Sequence, residues 1–336
     1  MTVGQYAIKR FLTIVPVLVG VSLIVFGFIH LIPGDPAVTM LGERATPERV
    51  AEIRTQLGLD RPLYVQYLIY VGKIVRGDLG ASILRGDPVL HDLAKRFPAT
   101  VELALSAITV AVLIGVPMGI VAAVWRNSLF DALSRLIALT GVSMPIFWLG
   151  LMLAWVFGVV LGLLPTGFRL NTSVTIVPVT NLFLVDSLLA GDGEAFAAAA
   201  RHLVLPAVAL STIPMAVIAR MTRASLLEIL SQDYIRTAES KGLPQRAVIL
   251  RHAMRNALLP VMTVTGLQIG RLLAGAILTE TIFSWPGIGL WIFEAIQARD
   301  YPIVQGATLF IATIFVLVNL LTDLLYAVVD PRIRYD

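Results

Sequence analysis

The chain reads as an all-α, polytopic membrane protein with six transmembrane helices, and three observations carry that reading. It is 57% hydrophobic and 14% charged, against roughly 45–50% and about 25% in ordinary soluble domains. Its mean hydropathy is +0.84. Its apolar residues gather into six runs, each near the ~20 residues that a helix needs to cross the hydrocarbon core. The absence of cysteine excludes a disulfide framework, a thiolate metal site and a cysteine nucleophile. The net charge of +4 is small. Basic residues are spread over loop ends instead of forming one stripe, which does not suit a nucleic-acid partner.

The first run, Phe11 to Pro33, carries no acidic or basic residue and follows Lys9 and Arg10. A cleaved signal peptide would have an apolar region of roughly 7–15 residues and then a small-residue cleavage site. This run is longer and leads into His30-Leu-Ile-Pro-Gly-Asp-Pro36, so residues 1–33 read as a retained first helix. Residues 34–98 form a large outer segment of mixed charge. Within it, Leu63, Tyr64, Tyr67, Leu68, Val71 and Ile74 recur at helical spacing, predicting a small folded helical element over 53–80. The remaining spans, 101–125, 136–162, 203–221, 257–281 and 304–328, fall in a core domain over 99–336. Pro145 predicts a kink in the third of the six spans. Residues 181–200 are interrupted by Asp186, Asp192 and Glu194 and read as a surface amphipathic helix.

Orientation follows from the basic residues of short loops. Lys9 and Arg10, Arg126 and Arg135, Arg220 through Arg255, and Arg332 and Arg334 share one side if there are six spans. Both termini are therefore expected in the cytoplasm. The loop over 222–256 holds Arg223, Arg236, Lys241, Arg246, Arg251 and Arg255 against Glu228, Asp233 and Glu239. The opposite loop, 282–303, holds Arg299 against Glu294 and Asp300.

In the basic loop, Ser231 and Asp233 suit a helix N-cap. Tyr234 to Lys241 then makes about two turns, stopped by Gly242 and Pro244. A second helical stretch, Gln245 to Asn256, leads back to the membrane at Leu259-Pro260. Arg236-Thr237-Ala238-x-x-x-Gly242 has the spacing of the Glu-Ala-Ala-x-x-x-Gly signature of binding-protein-dependent ABC importers. Further motifs are LGLDRPLYVQYLIYVGKIVRGDLGAS (57–82), MPIFW (144–148), RMTRASLLEILSQDYIRTAESKGL (220–243), RNALLPV (255–261) and TETIFSWPGIG (279–289). By these the chain resembles the dipeptide/oligopeptide permease family, on the subunit whose first span is followed by a large outer segment. MLGERATPE (40–48) and TETIFSWPGIG resemble the dipeptide branch most. Arg236 stands where the general signature has Glu, as is usual in this branch, and Leu259-Pro260 lies further on than the general motif has it.

The resemblance implies a type I ABC importer permease fold in a bacterial inner membrane. It implies that the helix over 233–242 sits in a groove of an ATP-binding subunit. Asp233 and Thr237 belong to this coupling helix. Tyr234, Arg236, Glu239 and Lys241 would make polar contacts, while Ala238 and Gly242 would allow close approach. The implied partners are a homologous second permease, two ATP-binding subunits and a soluble extracytoplasmic binding protein that delivers peptide. No cofactor is expected on this chain, and ATP and Mg would belong to the partner ATPases. Gly72-Lys73 lacks the upstream glycine and following Ser/Thr of a phosphate-binding loop.

A charge inside a span suggests function by default. Arg271 lies past the midpoint of the fifth span, three residues after Gln268. It is either a structural or snorkelling arginine, or it faces the translocation path beside Gln268 and meets a peptide carboxylate. Glu280 reads as an anchor for the outer loop, Asp323 as structural with Arg332 and Arg334 in reach, and Glu102 as an interfacial charge. Gly266, Gly270 and Gly275 read as helix-packing positions. His30, His91, His202 and His252 are scattered over both membrane sides, and no hydrolase motif occurs. An ion-coupled secondary transporter is the rival class, and it would need ionisable relays in several spans and no docking helix. Within the importer class, glutathione, longer oligopeptides, nickel and haem are alternative cargoes.

Overall fold

The computed structural model describes residues 3–31, 36–41, 45–171 and 173–329. No strand occurs among the described residues, where Ala81 and Pro88 form an isolated bridge. Residues 32–35 of the first motif, 42–44 of the outer segment, and the expected partners Asp323, Arg332 and Arg334 lie outside the described side chains.

Helix α1 spans Val3–Leu31. The outer segment is helical as expected, with α2 (Pro36–Leu41), α3 (Pro47–Leu57) and α4 (Leu63–Val75). Helix α5 (Val89–Val124) starts well before the expected 101, and the chain runs through residues 98 and 99 without a break. Asp92, Lys95 and Arg96 end the apolar run there, but a helix does not stop where the hydrocarbon does.

The expected third span is broken. Helix α6 (Leu129–Ser143) and α7 (Ile146–Leu153), with its π-helical continuation Ala154–Val160, meet at 103°. Pro145 therefore does more than kink a helix. It clashes with an α conformation of the residue before it, and Met144 is extended at ψ 131. Residues 181–200 do not form one surface helix either. They divide into α8 (Phe183–Leu189) and the first turns of α9 (Gly193–Leu230). Asp192 does not interrupt α9 but caps it, its carboxylate accepting from Ala195 N at 2.9 Å.

The basic loop carries α10 (Asp233–Ser240) and α11 (Gln245–Ala247), then a π-helical stretch, Val248–Ala253, that enters α12 (Met254–Gly275) directly. The expected fifth span, 257–281, breaks at Ala276, after which come α13 (Ile277–Ile282) and α14 (Ile288–Gln297). Helix α15 (Tyr301–Val329) completes the chain. Among the described residues α5, α9 and α15 are long and apolar enough to cross a membrane, and α6 with α7 makes a fourth if the bent pair is one span. That is fewer than the expected six; α1 contributes a shorter apolar stretch, Thr13–Gly27.

The core is the seam between α5 and α9. Ala99, Leu103, Ala104, Ala107 and Ala111 face Leu203, Ala207, Leu210 and Ile218, with Val261, Leu272 and Trp285 closing the cluster. Small residues let the backbones approach, as membrane helices require where no hydrophobic force acts between them. A β-carbon at Gly115 would lie 2.8 Å from Met215 O, and one at Gly119 would lie 2.6 Å from Ala219 O. Gly266 and Gly270 of α12 are packing positions as expected, against Thr322, Asn319 and Phe315 of α15. Helix α1 packs on α15, and α6 on α9.

Gly119→Ala should destabilise the protein by about 1–3 kcal/mol through overpacking. Gly72→Ala, with nothing within 4 Å, should not. Thermal unfolding of the two variants in detergent checks both.

Candidate coupling site

Helix α10 is two-sided. Ile235 (0% exposed) and Ala238 (7%) face inward. They pack with Ala123 from α5, Leu226 from α9, Val248, Ile249 and Ala253 from the π stretch, and Met254 and Ala257 from α12. Asp233, Tyr234, Arg236, Thr237, Glu239, Lys241 and Gly242 are all exposed. Ala238 is thus not a surface of close approach to a partner, as the sequence suggested, but half of the anchor to this chain's own bundle. Ile235 is the other half and went unremarked, although its i, i+3 spacing to Ala238 marks one helical face.

The N-cap expectation also shifts. Ser231 ends α9, its Oγ donating to Glu228 O at 2.7 Å. Gln232 occupies the cap, and Asp233 is the first helical residue, where its charge still suits the helix dipole. Thr237 Oγ1 donates to Asp233 O at 3.0 Å, and Ser240 Oγ to Arg236 O at 2.9 Å. Arg236 pairs with Asp233 at 3.5 Å in full solvent, a contact of about 0–1 kcal/mol. Asn256 Nδ2 donates to Tyr234 Oη at 2.8 Å, tying α10 to the root of α12. Gly242 turns the chain at φ +75, a left-handed conformation, and a β-carbon there would meet nothing within 4 Å. Its exposed surface is therefore free for a neighbour.

An ion pair with a buried carboxylate secures the helix that feeds this loop. Arg223 of α9 grips Asp131 of α6 with two bonds, Nε to Oδ1 at 2.8 Å and Nη2 to Oδ2 at 3.0 Å. Asn127 N and Arg135 complete the Asp131 shell. Arg223 is therefore spent on packing, and it does not extend the loop's free charge.

A second polar set joins the elements at the opposite end. Glu102 is not an interfacial charge. It is buried, paired with Arg169 and hydrogen-bonded by Leu184 N at 2.8 Å. Arg169 also donates to Asn181 O and lies 3.6 Å from the Phe183 ring centre. Burial pulls the Arg169 guanidinium below the ordinary arginine range, with Glu102 opposing that pull. Burial by itself would raise the Asp186 carboxyl, but the hydroxyl and amide of Thr180 outweigh it and hold it low. Glu280 anchors the outer loop as expected, accepting from Thr100 Oγ1 at 2.7 Å and Leu290 N at 3.0 Å. A β-carbon at Gly287 would collide with this carboxylate, and one at Gly289 would lie 2.7 Å from Ile277 Cα, which accounts for the glycines of the PGIG turn. Ile288 N donates to Thr100 Oγ1, and Trp285 Nε1 to Ala99 O at 2.8 Å.

Gln268 and Arg271 do not share a surface. Gln268 is 3% exposed inside the chain, whereas Arg271 is exposed. No group of three or more His, Cys, Asp or Glu residues that suits a metal occurs among the described residues.

Comparison with known proteins shows the family. The model of the binding-protein-dependent transport system inner membrane component matches residues 115–335, and the model of its N-terminal region matches residues 3–104. The dipeptide transport system permease protein of Alkalihalophilus pseudofirmus is 52% identical over 330 residues, covering 98% of this chain and 99% of that protein. The dipeptide permease protein of Escherichia coli is 50% identical over 335 residues, with the same coverage. The di/tripeptide permease protein of Pseudomonas aeruginosa is 50% identical over 333 residues, covering 99% of each chain.

Ile235→Ala should loosen α10 by about 2–5 kcal/mol and speed hydrogen exchange over 233–240, while Arg236→Ala should leave exchange there unchanged. Arg169→Leu strands a buried carboxylate and should cost about 3–5 kcal/mol in thermal unfolding. Adding Glu102→Gln should recover much of that loss.

Proposed function

This chain belongs to the inner membrane components of binding-protein-dependent transport systems, and from that premise we propose that it is the permease subunit through which an ATP-driven importer moves dipeptides and other short peptides. Relatives that share half of its residues along their whole length are permeases for dipeptides and di/tripeptides. A peptide zwitterion is expensive to desolvate, so it crosses in a polar cavity shielded from lipid. That cavity forms between this chain and a homologous second permease. Two ATP-binding subunits lie on the cytoplasmic side, where both termini also lie, and a soluble binding protein delivers cargo from outside. ATP and Mg are handled by those subunits. Arg271, exposed on its helix, is the member of the Gln268–Arg271 pair that meets the peptide carboxylate.

The observation that carries this reading is the two-sided α10. Its outer face offers Tyr234, Arg236, Glu239 and Lys241 to an ATP-binding subunit, and Gly242 admits close approach. Its inner face is clamped by Ile235 and Ala238 to the ends of α5, α9 and α12. Displacement of α10 therefore moves three long helices together, because packed cores switch between arrangements instead of deforming continuously. The ATPase then biases a two-state equilibrium between inward- and outward-open forms.

The test is uptake of a labelled dipeptide by vesicles holding the complete complex, with and without ATP and the binding protein. Uptake should require both, and uptake driven by an ion gradient without ATP would overturn the reading. Gly242→Arg should abolish uptake while the chain remains in the membrane. Gly242→Asn should retain uptake, since asparagine visits the left-handed region. Normal uptake by Gly242→Arg would remove the docking assignment.

A further inference from the structure

The outer segment reaches deeper than its place in the chain suggests. Between Phe11 and Leu31, α1 carries no Asp, Glu, Lys or Arg, a stretch of about 30 Å at ~1.5 Å per residue, matching the hydrocarbon thickness. Ser22 lies near its middle and is 6% exposed. Its Oγ donates to Val19 O at 2.8 Å and lies 2.8 Å from the Tyr67 hydroxyl of α4. With the serine proton committed to Val19, Tyr67 is the donor. Higher on α1, the Phe26 ring meets Tyr67 and Tyr70 at 5.5 and 5.8 Å between centroids. His30 Nε2 lies 3.1 Å from Gln66 Oε1. Helix α4 is thus fastened to α1 along the outer half of its charge-free stretch.

A neighbouring face of α4 is apolar and largely exposed. Tyr64, Leu68 and Val75 are 69%, 65% and 79% exposed. With Val71 they follow i, i+4, i+7, i+11, a single helical stripe. No residue of α4 is buried. The exposed basic residues Arg61, Lys73 and Arg76 fall at its ends or off the stripe. Leu23 and Ile24 of α1, at the same depth, are also exposed and apolar.

We propose that α4 is an outer-leaflet helix whose Tyr64–Leu68–Val71–Val75 stripe is covered by lipid acyl chains. The stripe continues the lipid-facing surface of α1. Tyrosines at headgroup level and basic residues reaching the phosphates are the usual anchors of a helix at this depth. The Tyr67–Ser22 bond satisfies a hydroxyl that lipid could not. The outer segment is thereby held to the membrane surface by one of its own helices. This inference does not depend on the identity of the cargo.

The chain has no cysteine, so single-cysteine variants can carry bimane at one chosen site in the complete complex in vesicles, with the complex of the cysteine-free chain giving the background of its partners. Leu68→Cys and Val75→Cys should be quenched by lipids brominated on the acyl chain to the extent seen at Leu23→Cys, and should resist a membrane-impermeant maleimide. Asp60→Cys should show neither effect. Absence of quenching at Leu68→Cys and Val75→Cys would overturn the proposal in either form. Rapid labelling would place the stripe in water, and slow labelling would place it under another protein.

Discussion

The close approach of α5 and α9 is the contact on which the rest of the protein hangs. Two helices of this length gain little from hydrophobicity inside lipid, so their association relies on dispersion and backbone proximity. Alanines along one face and the glycines at 115 and 119 supply that proximity. One end of the pair, at Ala123 and Leu226, forms the bed for α10. The other end of α5 offers Ala99, Thr100 and Glu102 to the outer loops. Both ends are therefore attached to one double rod.

Three buried carboxylates follow a common rule. Asp131, Glu102 and Glu280 are each paired inside the chain, because nothing in hydrocarbon can satisfy them. Asp131 is enclosed by Arg223, Arg135 and Asn127 N. Glu102 has Arg169 and Leu184 N, while Glu280 has Thr100 and Leu290 N. Such pairs add modest net stability, yet breaking one leaves a stranded charge. Their use here is geometric. They hold α6 against α9, and hold the outer loops against α5, so movement in one is felt by the others. Arg271 of α12, by contrast, is exposed.

Several elements were legible in the residues themselves. Apolar runs located the long helices, helical spacing located α4, and Gly242 with Pro244 located the end of α10, because each rests on local chemistry. The boundaries were less legible. Asp92 and Arg96 look like the edge of a span, but α5 continues through them, since helix length is set by hydrogen bonding and packing while the apolar run is set by lipid. Pro145 announced a kink, and its pairing with an extended Met144 produced a 103° break.

The sequence by itself determined the class of protein, the segments that are helical and the loop that carries the candidate coupling helix, because composition, periodicity and turn chemistry act over a few residues. Only the tertiary structure decided which side of each element is used. It turned Ala238 inward beside Ile235, buried Gln268 while leaving Arg271 exposed, joined Glu102 to Arg169 and Thr100 to Glu280, and laid α4 along α1. These partners lie from three to 180 residues apart, and the nearest pairs differ only in helical phase. The physical reason is that facing and pairing depend on which surfaces meet when the helices pack, and spacing along the chain does not contain that information.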